Sequence, residues 1–263
     1  MFGILFNLII FIFGLIFGSF LNCVIYRLHS GESFLKGRSY CPNCKHILSW
    51  QDLIPVFSFL ILKGKCRYCQ KKISWQYPLV EIATGILFVL VIHYTFSNFL
   101  FSIFYFLISC FLIIIFVYDL KHYIIPDKVI YPAILVVSIW YLVFSIFFNR
   151  YPKSYLLTTI YSALGAAAFF LMLVVISHEK WLGWGDVKLA FLMGLFLGWP
   201  KILLALFLAF FIGAIIGVGL IIFGKKTLKS EIPFGPFLVS GTFLALFFGQ
   251  KILDWYLNWF LLK

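Results

Sequence analysis

Long apolar runs separated by short polar breaks dominate this chain. The stretches 2–26, 79–96, 99–118, 155–177 and 202–223 approach or exceed the ~20 apolar residues that a helix needs to cross a bilayer. Together with two more broken runs and one short one, the pattern predicts spans at 4–26, 79–97, 99–118, 129–148, 155–177, 181–199, 201–223 and 234–250. The expected fold is therefore an all-α polytopic membrane protein of about eight transmembrane helices. Its one sizeable hydrophilic interruption, 27–78, is basic and rich in turn residues. The chain divides accordingly into a first transmembrane helix (1–26), a cysteine-rich loop (27–78) and a seven-helix membrane domain (79–263). The first run has no basic segment before it and no small-residue cleavage site after it, so it is expected to remain as a span. The sixth span is the shortest, since its strictly apolar part, 187–199, rises only about 20 Å at 1.5 Å per residue. A start near Trp181 restores the length and draws Asp186 one or two turns into the membrane.

Composition sharpens this reading. The chain is 63% hydrophobic and 11% charged, with a mean hydropathy of +1.06, outside the range of soluble domains. A net charge of +12 would suggest nucleic acid in a soluble protein. Here sixteen of the 21 basic residues fall on one side of the expected spans, Lys225, Lys226 and Lys229 among them, and five on the other, including Arg150 and Lys263. Basic residues collect in cytoplasmic loops, which puts the cysteine loop in the cytoplasm and both termini outside. No nucleic-acid partner is expected; the partner implied is the lipid bilayer.

Inside the loop, Cys41-Pro-Asn-Cys44 and Cys66-Arg-Tyr-Cys69 form two C-x2-C pairs. Such pairs supply four thiolates to a closed, tetrahedral structural zinc site, and a segment of this size folds poorly without a staple. Two redox-active pairs are the alternative, disfavoured in a reducing cytosol. Cys23 and Cys110 lie in apolar helices as small core residues.

Only nine acidic residues occur in the chain, and a carboxylate at helix depth costs enough that function is its default explanation. Asp119 closes one apolar run, and Asp186 follows Gly183-Trp184-Gly185. Both fall at the same membrane face. Two such carboxylates in contact share a proton, one activating water and the other polarising a carbonyl. Glycines beside them let a backbone approach. The structural alternative makes them interfacial caps, Asp119 near Lys121 and Asp186 near Lys188. Asp127 is expected to N-cap the next helix, and Glu81, one turn into its span, to serve a buried polar role or a substrate contact. His178 and Glu179 are expected to line the cytoplasmic mouth.

Several segments are similar to the type IV prepilin peptidases, membrane aspartic proteases with a G-x-G-D signature. They are Gly18-Ser19-Phe20-Leu21-Asn22-Cys23, Cys41-Pro-x-Cys44, Tyr77-Pro78-Leu79-Val80-Glu81, Asp119 with Ile125-Pro126-Asp127, Gly183-x-Gly185-Asp186-Val187-Lys188, and Ile232-Pro233-Phe234-Gly235-Pro236-Phe237. The resemblance implies that Asp119 and Asp186 are the catalytic pair, with Gly183, Gly185, Lys188 and Glu81 in support. It implies that the loop belongs to a cytoplasmic domain, and that the substrates are prepilins or pseudopilins with basic leader peptides. They would be cut after a glycine and methylated on the new N-terminal residue from S-adenosylmethionine. Where many members carry Gly-Met before the signature, this chain has Trp181-Leu182. No glycine-rich donor loop is present, so methylation rests on resemblance alone. Other readings are a peptidase without methyltransferase activity, a proton-coupled transporter, and a zinc-dependent membrane scaffold. The spans lack the polar residues and matched broken helices of a transporter, and a scaffold leaves the matched carboxylates unexplained.

Overall fold

The computed structural model describes residues 2–33, 36–95, 98–147, 152–224 and 232–261. Arg150, Lys225, Lys226, Lys229, Glu231 and Lys263 lie outside the described residues. Apolar stretches this long bury their backbone groups only by hydrogen-bonding them within the segment, and helices result: α1 (Phe2–Ser30), a 3₁₀ turn (Trp50–Leu53), α2 (Phe57–Ile61), α3 (Gln76–Thr95), α4 (Phe99–His122), α5 (Asp127–Ile146), α6 (Lys153–Ser177), α7 (Trp184–Leu197), α8 (Lys201–Ile222) and α9 (Gly235–Leu261). Among the described residues, extended pairing is limited to two isolated bridges in the loop, Tyr40 with Ile47 and Lys65 with Lys72.

Seven of these helices are long and apolar enough to cross a membrane. The exceptions are the five-residue α2 of the loop and, among the expected spans, α7. It begins at Trp184, not near Trp181, with Gly183 as its N-cap, and its 14 residues reach only about 21 Å at 1.5 Å per residue. Its role explains its length. Nine of its residues, Asp186, Leu189, Ala190 and Leu192 to Leu197, are buried, as expected of a helix that is apolar on every face and enclosed by others. Asp186 consequently stands in the first turn of a short internal helix.

Residues 1–114 and 115–263 form two compact units. The expected divisions at 26 and 78 follow membrane boundaries, whereas packing joins α1 to α3 across the loop within the first unit. That contact depends on missing side chains. A Cβ on Gly14 would lie 2.6 Å from the Cα of Gly85, and one on Gly18 2.6 Å from the Cα of Glu81, so the two backbones touch directly. Between apolar helices in lipid, such close van der Waals packing replaces the hydrophobic drive available in water. Asn22 adds polar glue, donating to the Tyr77 carbonyl at 3.1 Å and accepting from the Gln76 amide at 3.1 Å. At the loop entrance the buried Arg27 donates to the carbonyls of Ser33, Lys36 and Arg38 at 2.9–3.0 Å, which closes the chain back on the end of α1.

In the second unit α7 packs against α5, α6, α8 and α9. Again glycine sets the spacing: a Cβ on Gly194 would meet the Cα of Ala163 in α6 at 2.5 Å, and Gly241 of α9 lies against Ala205 and Ala209 of α8.

A bulky residue at these contacts must push the helices apart. Gly85→Leu is expected to destabilise the first unit by roughly 1–3 kcal/mol, the usual cost of overpacking, seen as a lower thermal midpoint in detergent. An unchanged midpoint would show that the close α1–α3 contact contributes nothing.

Candidate functional site

Two sites emerge, one in each unit. In the second unit, α4 ends four residues after entering the segment Asp119-Leu120-Lys121-His122. The Asp119 carbonyl accepts from Tyr123 N at 2.8 Å, and Tyr123 takes a left-handed conformation (φ 57°) that stops the helix. The chain then turns through Ile124 and Ile125 to Pro126, which caps α5. Both aspartates are buried, Asp119 with 5% and Asp186 with 8% of its surface exposed.

The same device holds each of them. Asp119 Oδ2 accepts from the backbone N–H of Gly235, the first residue of α9, at 3.0 Å. Asp186 Oδ2 accepts from the N–H of Gly183, the N-cap of α7, at 3.0 Å. Helix N-termini offer backbone donors with no intrahelical partner and a positive dipole end, and here two of them each receive one carboxylate. For Asp186 this is half of a capping box, since Gly183 has no side chain to return a bond. Among the described residues the remaining oxygens, Asp119 Oδ1 and Asp186 Oδ1, accept no hydrogen bond, and neither carboxylate forms an ion pair.

Ile125 borders a glycine neighbour of each. A Cβ on Gly185 would collide with the Ile125 side chain at 2.9 Å, and one on Gly235 would lie 2.6 Å from Asp119 Oδ2 and 3.4 Å from Ile125 Cδ1. The glycine that precedes Asp186 and the glycine that holds Asp119 thus border one isoleucine. The space expected beside both signature glycines for an approaching backbone exists only at Gly183, where an added Cβ would meet nothing nearer than 3.9 Å. At Gly185 the chain's own Ile125 fills it.

Two expectations are corrected. Asp127 does not cap α5; it is the helix's first residue, and its carboxylate pairs with Lys188 Nζ at 2.5 Å. Lys188 is therefore not the partner of Asp186. It also lies over the Tyr131 ring, 5.1 Å from its centroid, so it links the start of α5 to the start of α7, two residues beyond Asp186. Glu179 accepts from the Trp184 indole at 2.6 Å, holding the turn that precedes α7. Sequence motifs contain Gly235 and Ile125 but assign neither a role. The signal for Gly235 is the proline that follows it, a residue favoured just inside a helix start.

Glu81 belongs to the first unit. It is buried, and its Oε2 accepts from Val56 N at 2.8 Å, so it anchors the cysteine loop to α3.

The loop itself consists of two matching knuckles. Cys41 N donates to the His46 carbonyl and Cys66 N to the Lys71 carbonyl, both at 2.9 Å; Lys45 N and Gln70 N donate back to the carbonyls of Cys41 and Cys66. Lys45 and Gln70 share a positive φ of 57–58°, and the two β-bridges lie at equivalent places. The four Sγ atoms of Cys41, Cys44, Cys66 and Cys69 all lie within 4.8 Å of one another, close enough to hold a metal ion. Cys41 and Cys69 Sγ are 3.9 Å apart, against the edge of about 3.8 Å that a tetrahedron with 2.3 Å zinc–sulfur bonds requires. Burial acts to raise the Cys41 thiol, but backbone N–H groups of Cys44 and Asn43 outweigh it and bring it down to about 7; at Cys69 the Lys71 N–H lowers the thiol, but burial and the neighbouring thiols outweigh it and raise it to about 11, so the thiolate that binds metals is favoured first at Cys41. Asp52 braces the second knuckle, accepting from Arg67 Nε at 2.8 Å and Tyr68 Oη at 3.1 Å. Burial pushes its carboxyl up, yet these bonds and those from Ser49 hold it below the usual carboxylate range.

Residues 12–95 match the Bacterial Peptidase A24 N-terminal domain and residues 105–218 the Type IV leader peptidase family. The chain is 34% identical over 252 residues to a prepilin leader peptidase/N-methyltransferase of Bacillus subtilis (strain 168), covering 95% of this chain and 97% of that protein. A protein of the same description from Aeromonas salmonicida (strain A449) is 31% identical over 283 residues, covering 95% of this chain and 93% of its own length. One from Myxococcus xanthus (strain DK1622) is 33% identical over 228 residues, covering 84% and 65%. No solved structure matches.

Metal analysis of the purified chain is expected to find about one ion for the four thiolates, and Cys41→Ser with Cys66→Ser to remove it. Equal metal content in the double variant would assign the ion elsewhere.

Proposed function

The chain belongs to the Type IV leader peptidase family, and from that premise we propose that it is a multi-pass membrane endopeptidase with Asp119 and Asp186 as its catalytic pair. It removes the leader from type IV prepilins and pseudopilins and then methylates the exposed N-terminal residue. The observation that carries the assignment is the matched tethering of the two buried carboxylates. Each has one oxygen held by a helix N-terminus and the other unengaged, and the glycines beside them border one isoleucine.

Two carboxylates in an apolar setting share one proton, because both cannot ionise at close range. The ionised member takes a proton from water, and the hydroxide oxygen adds to the scissile carbonyl carbon while the protonated member donates to the carbonyl oxygen. The tetrahedral intermediate collapses as the amide nitrogen leaves with a proton, and the pair regains its starting state. The tethers keep the reacting oxygens in place, and the open space beside Gly183 admits an extended backbone. Lys188, through Asp127, positions the start of α7 and so Asp186.

The active site faces the cytoplasm of a bacterial inner membrane, in keeping with the basic residues on that side. A basic leader suits the same surface, where it also meets anionic lipid. Zinc is the ion for Cys41, Cys44, Cys66 and Cys69, with a structural role, since all four positions of the tetrahedron are protein thiolates. S-adenosylmethionine supplies the methyl group. In the first unit Gln76 Oε1, beside Asn22, is a buried side-chain oxygen without a partner among the described residues, and it offers an acceptor to the ammonium group of such a donor.

Asp119→Asn and Asp186→Asn are each expected to lower cleavage of a co-expressed prepilin by at least about 100-fold, the scale of general acid–base catalysis, with protein level and membrane insertion intact. Normal processing by either variant would refute the pair. Mass spectrometry of the processed N-terminus separates the two activities: Gln76→Leu should yield cleaved product with less methyl. Full methylation in that variant would remove Gln76 from the donor site.

A further inference from the structure

The structure assigns a second contact with the membrane: α2 and Trp75 form an interfacial anchor that lays the cysteine loop of the first unit on the headgroup layer of the bilayer.

The five residues of α2 have two unlike faces. Phe59 points inward, 8% exposed, with its ring 4.9 Å from that of Trp75 and against Gly64, where an added Cβ would touch it at 3.1 Å. Phe57, Leu60 and Ile61 point the other way and are 61%, 60% and 73% exposed. At i, i+3 and i+4 they share one helix face, and no described residue covers it. Trp75 adds an indole that is 68% exposed.

A backbone contact sets the depth of this patch. Pro55, Val56 and Phe57 form a γ-turn, with Phe57 N donating to the Pro55 carbonyl at 2.6 Å and Val56 at φ 61°. A β-branched residue adopts such a conformation only when its surroundings impose it. The turn directs the Val56 N–H onto Glu81 Oε2 at 2.8 Å. Glu81 is the sixth residue of α3, a spanning helix, so α2 starts beside a point about 7.5 Å along that helix at 1.5 Å per residue. Interfacial helices bury their apolar faces about 5–10 Å into the boundary between headgroups and acyl chains, which is the depth this pinning gives.

The neighbouring residues suit the same occupant. Trp75 immediately precedes α3, at the end of a span, where tryptophan concentrates. Lys63, Lys65, Lys71 and Lys72 are exposed in the same loop, and cations at this level attract anionic lipid. The occupant is therefore the bilayer itself, with anionic phospholipid among its lipids. This assignment is independent of the peptidase chemistry and holds whether or not Asp119 and Asp186 are catalytic.

The test uses the full chain with the photoreactive residue p-benzoylphenylalanine at Ile61, reconstituted in vesicles of phosphatidylethanolamine and phosphatidylglycerol. The same residue at Asn43, on the exposed tip of the first knuckle, is the reference. Peptide mass spectrometry after irradiation should find phospholipid adducts at position 61 at roughly ten times the level at position 43, as expected for a face buried in the interface. Leu60 serves as a duplicate position in case the first substitution disturbs the loop, with metal content reporting that the knuckles remain folded. Equal lipid adducts at 61 and 43, or adducts at 60 and 61 that are to a prepilin or to a second copy of the chain in place of lipid, would overturn the anchor.

Discussion

A carboxylate enclosed by apolar helices must find hydrogen-bond donors, and a helical membrane protein has few to spare, because nearly every backbone N–H is already used within its own helix. The exceptions are the first turns of helices. In this protein each buried aspartate of the second unit occupies one: Asp119 at the start of α9, and Asp186 at the start of α7. The rest of the site follows. A helix start has to be brought to the end of α4, so α9 begins where Asp119 stands, and its first residue is glycine because any Cβ would collide with the carboxylate. The other start must lie inside the unit, so α7 is short and internal where its neighbours are long.

Close approach of backbones is the second requirement, met by the same residue type for another reason. Gly14, Gly18 and Gly85 let α1 and α3 touch, and Gly194 lets α7 reach α6. Packing at this distance supplies in lipid the cohesion that solvent exclusion supplies in water. It also fixes helix positions closely enough for a single hydrogen bond, such as Asn22 to the Tyr77 carbonyl, to keep its geometry.

The first unit solves a different problem. Its loop has almost no core of its own, and its order comes from discrete ties: Arg27 on three carbonyls, Glu81 on the Val56 amide, Asp52 on Arg67 and Tyr68, and four thiols gathered by two equivalent turns. Each tie satisfies a charged or polar group while closing a piece of chain. Glu81, read from sequence as a buried polar residue or a substrate contact, joins the loop to a spanning helix. Its burial at helix depth was visible; its partner, a backbone amide 25 residues earlier in the chain, was not.

The sequence by itself determined the membrane class, six of the spans within a few residues and the start of a seventh, α9, which runs on to Leu261 past the expected end at 250, together with the four-cysteine cluster and the presence of the two aspartates. These are readable because each depends on local pattern: apolar length against bilayer thickness, ligand spacing within a turn, and the rarity of carboxylates among apolar residues. Tertiary structure alone decided the length of α7, the pairing of Lys188 with Asp127 rather than Asp186, the tether from Gly235 to Asp119, and the isoleucine that fills the space at Gly185. All of these join residues far apart in the chain. Hydrophobicity along a helix says that a side chain is surrounded, but not by what, and a glycine shows its purpose only once the atom it makes room for is known.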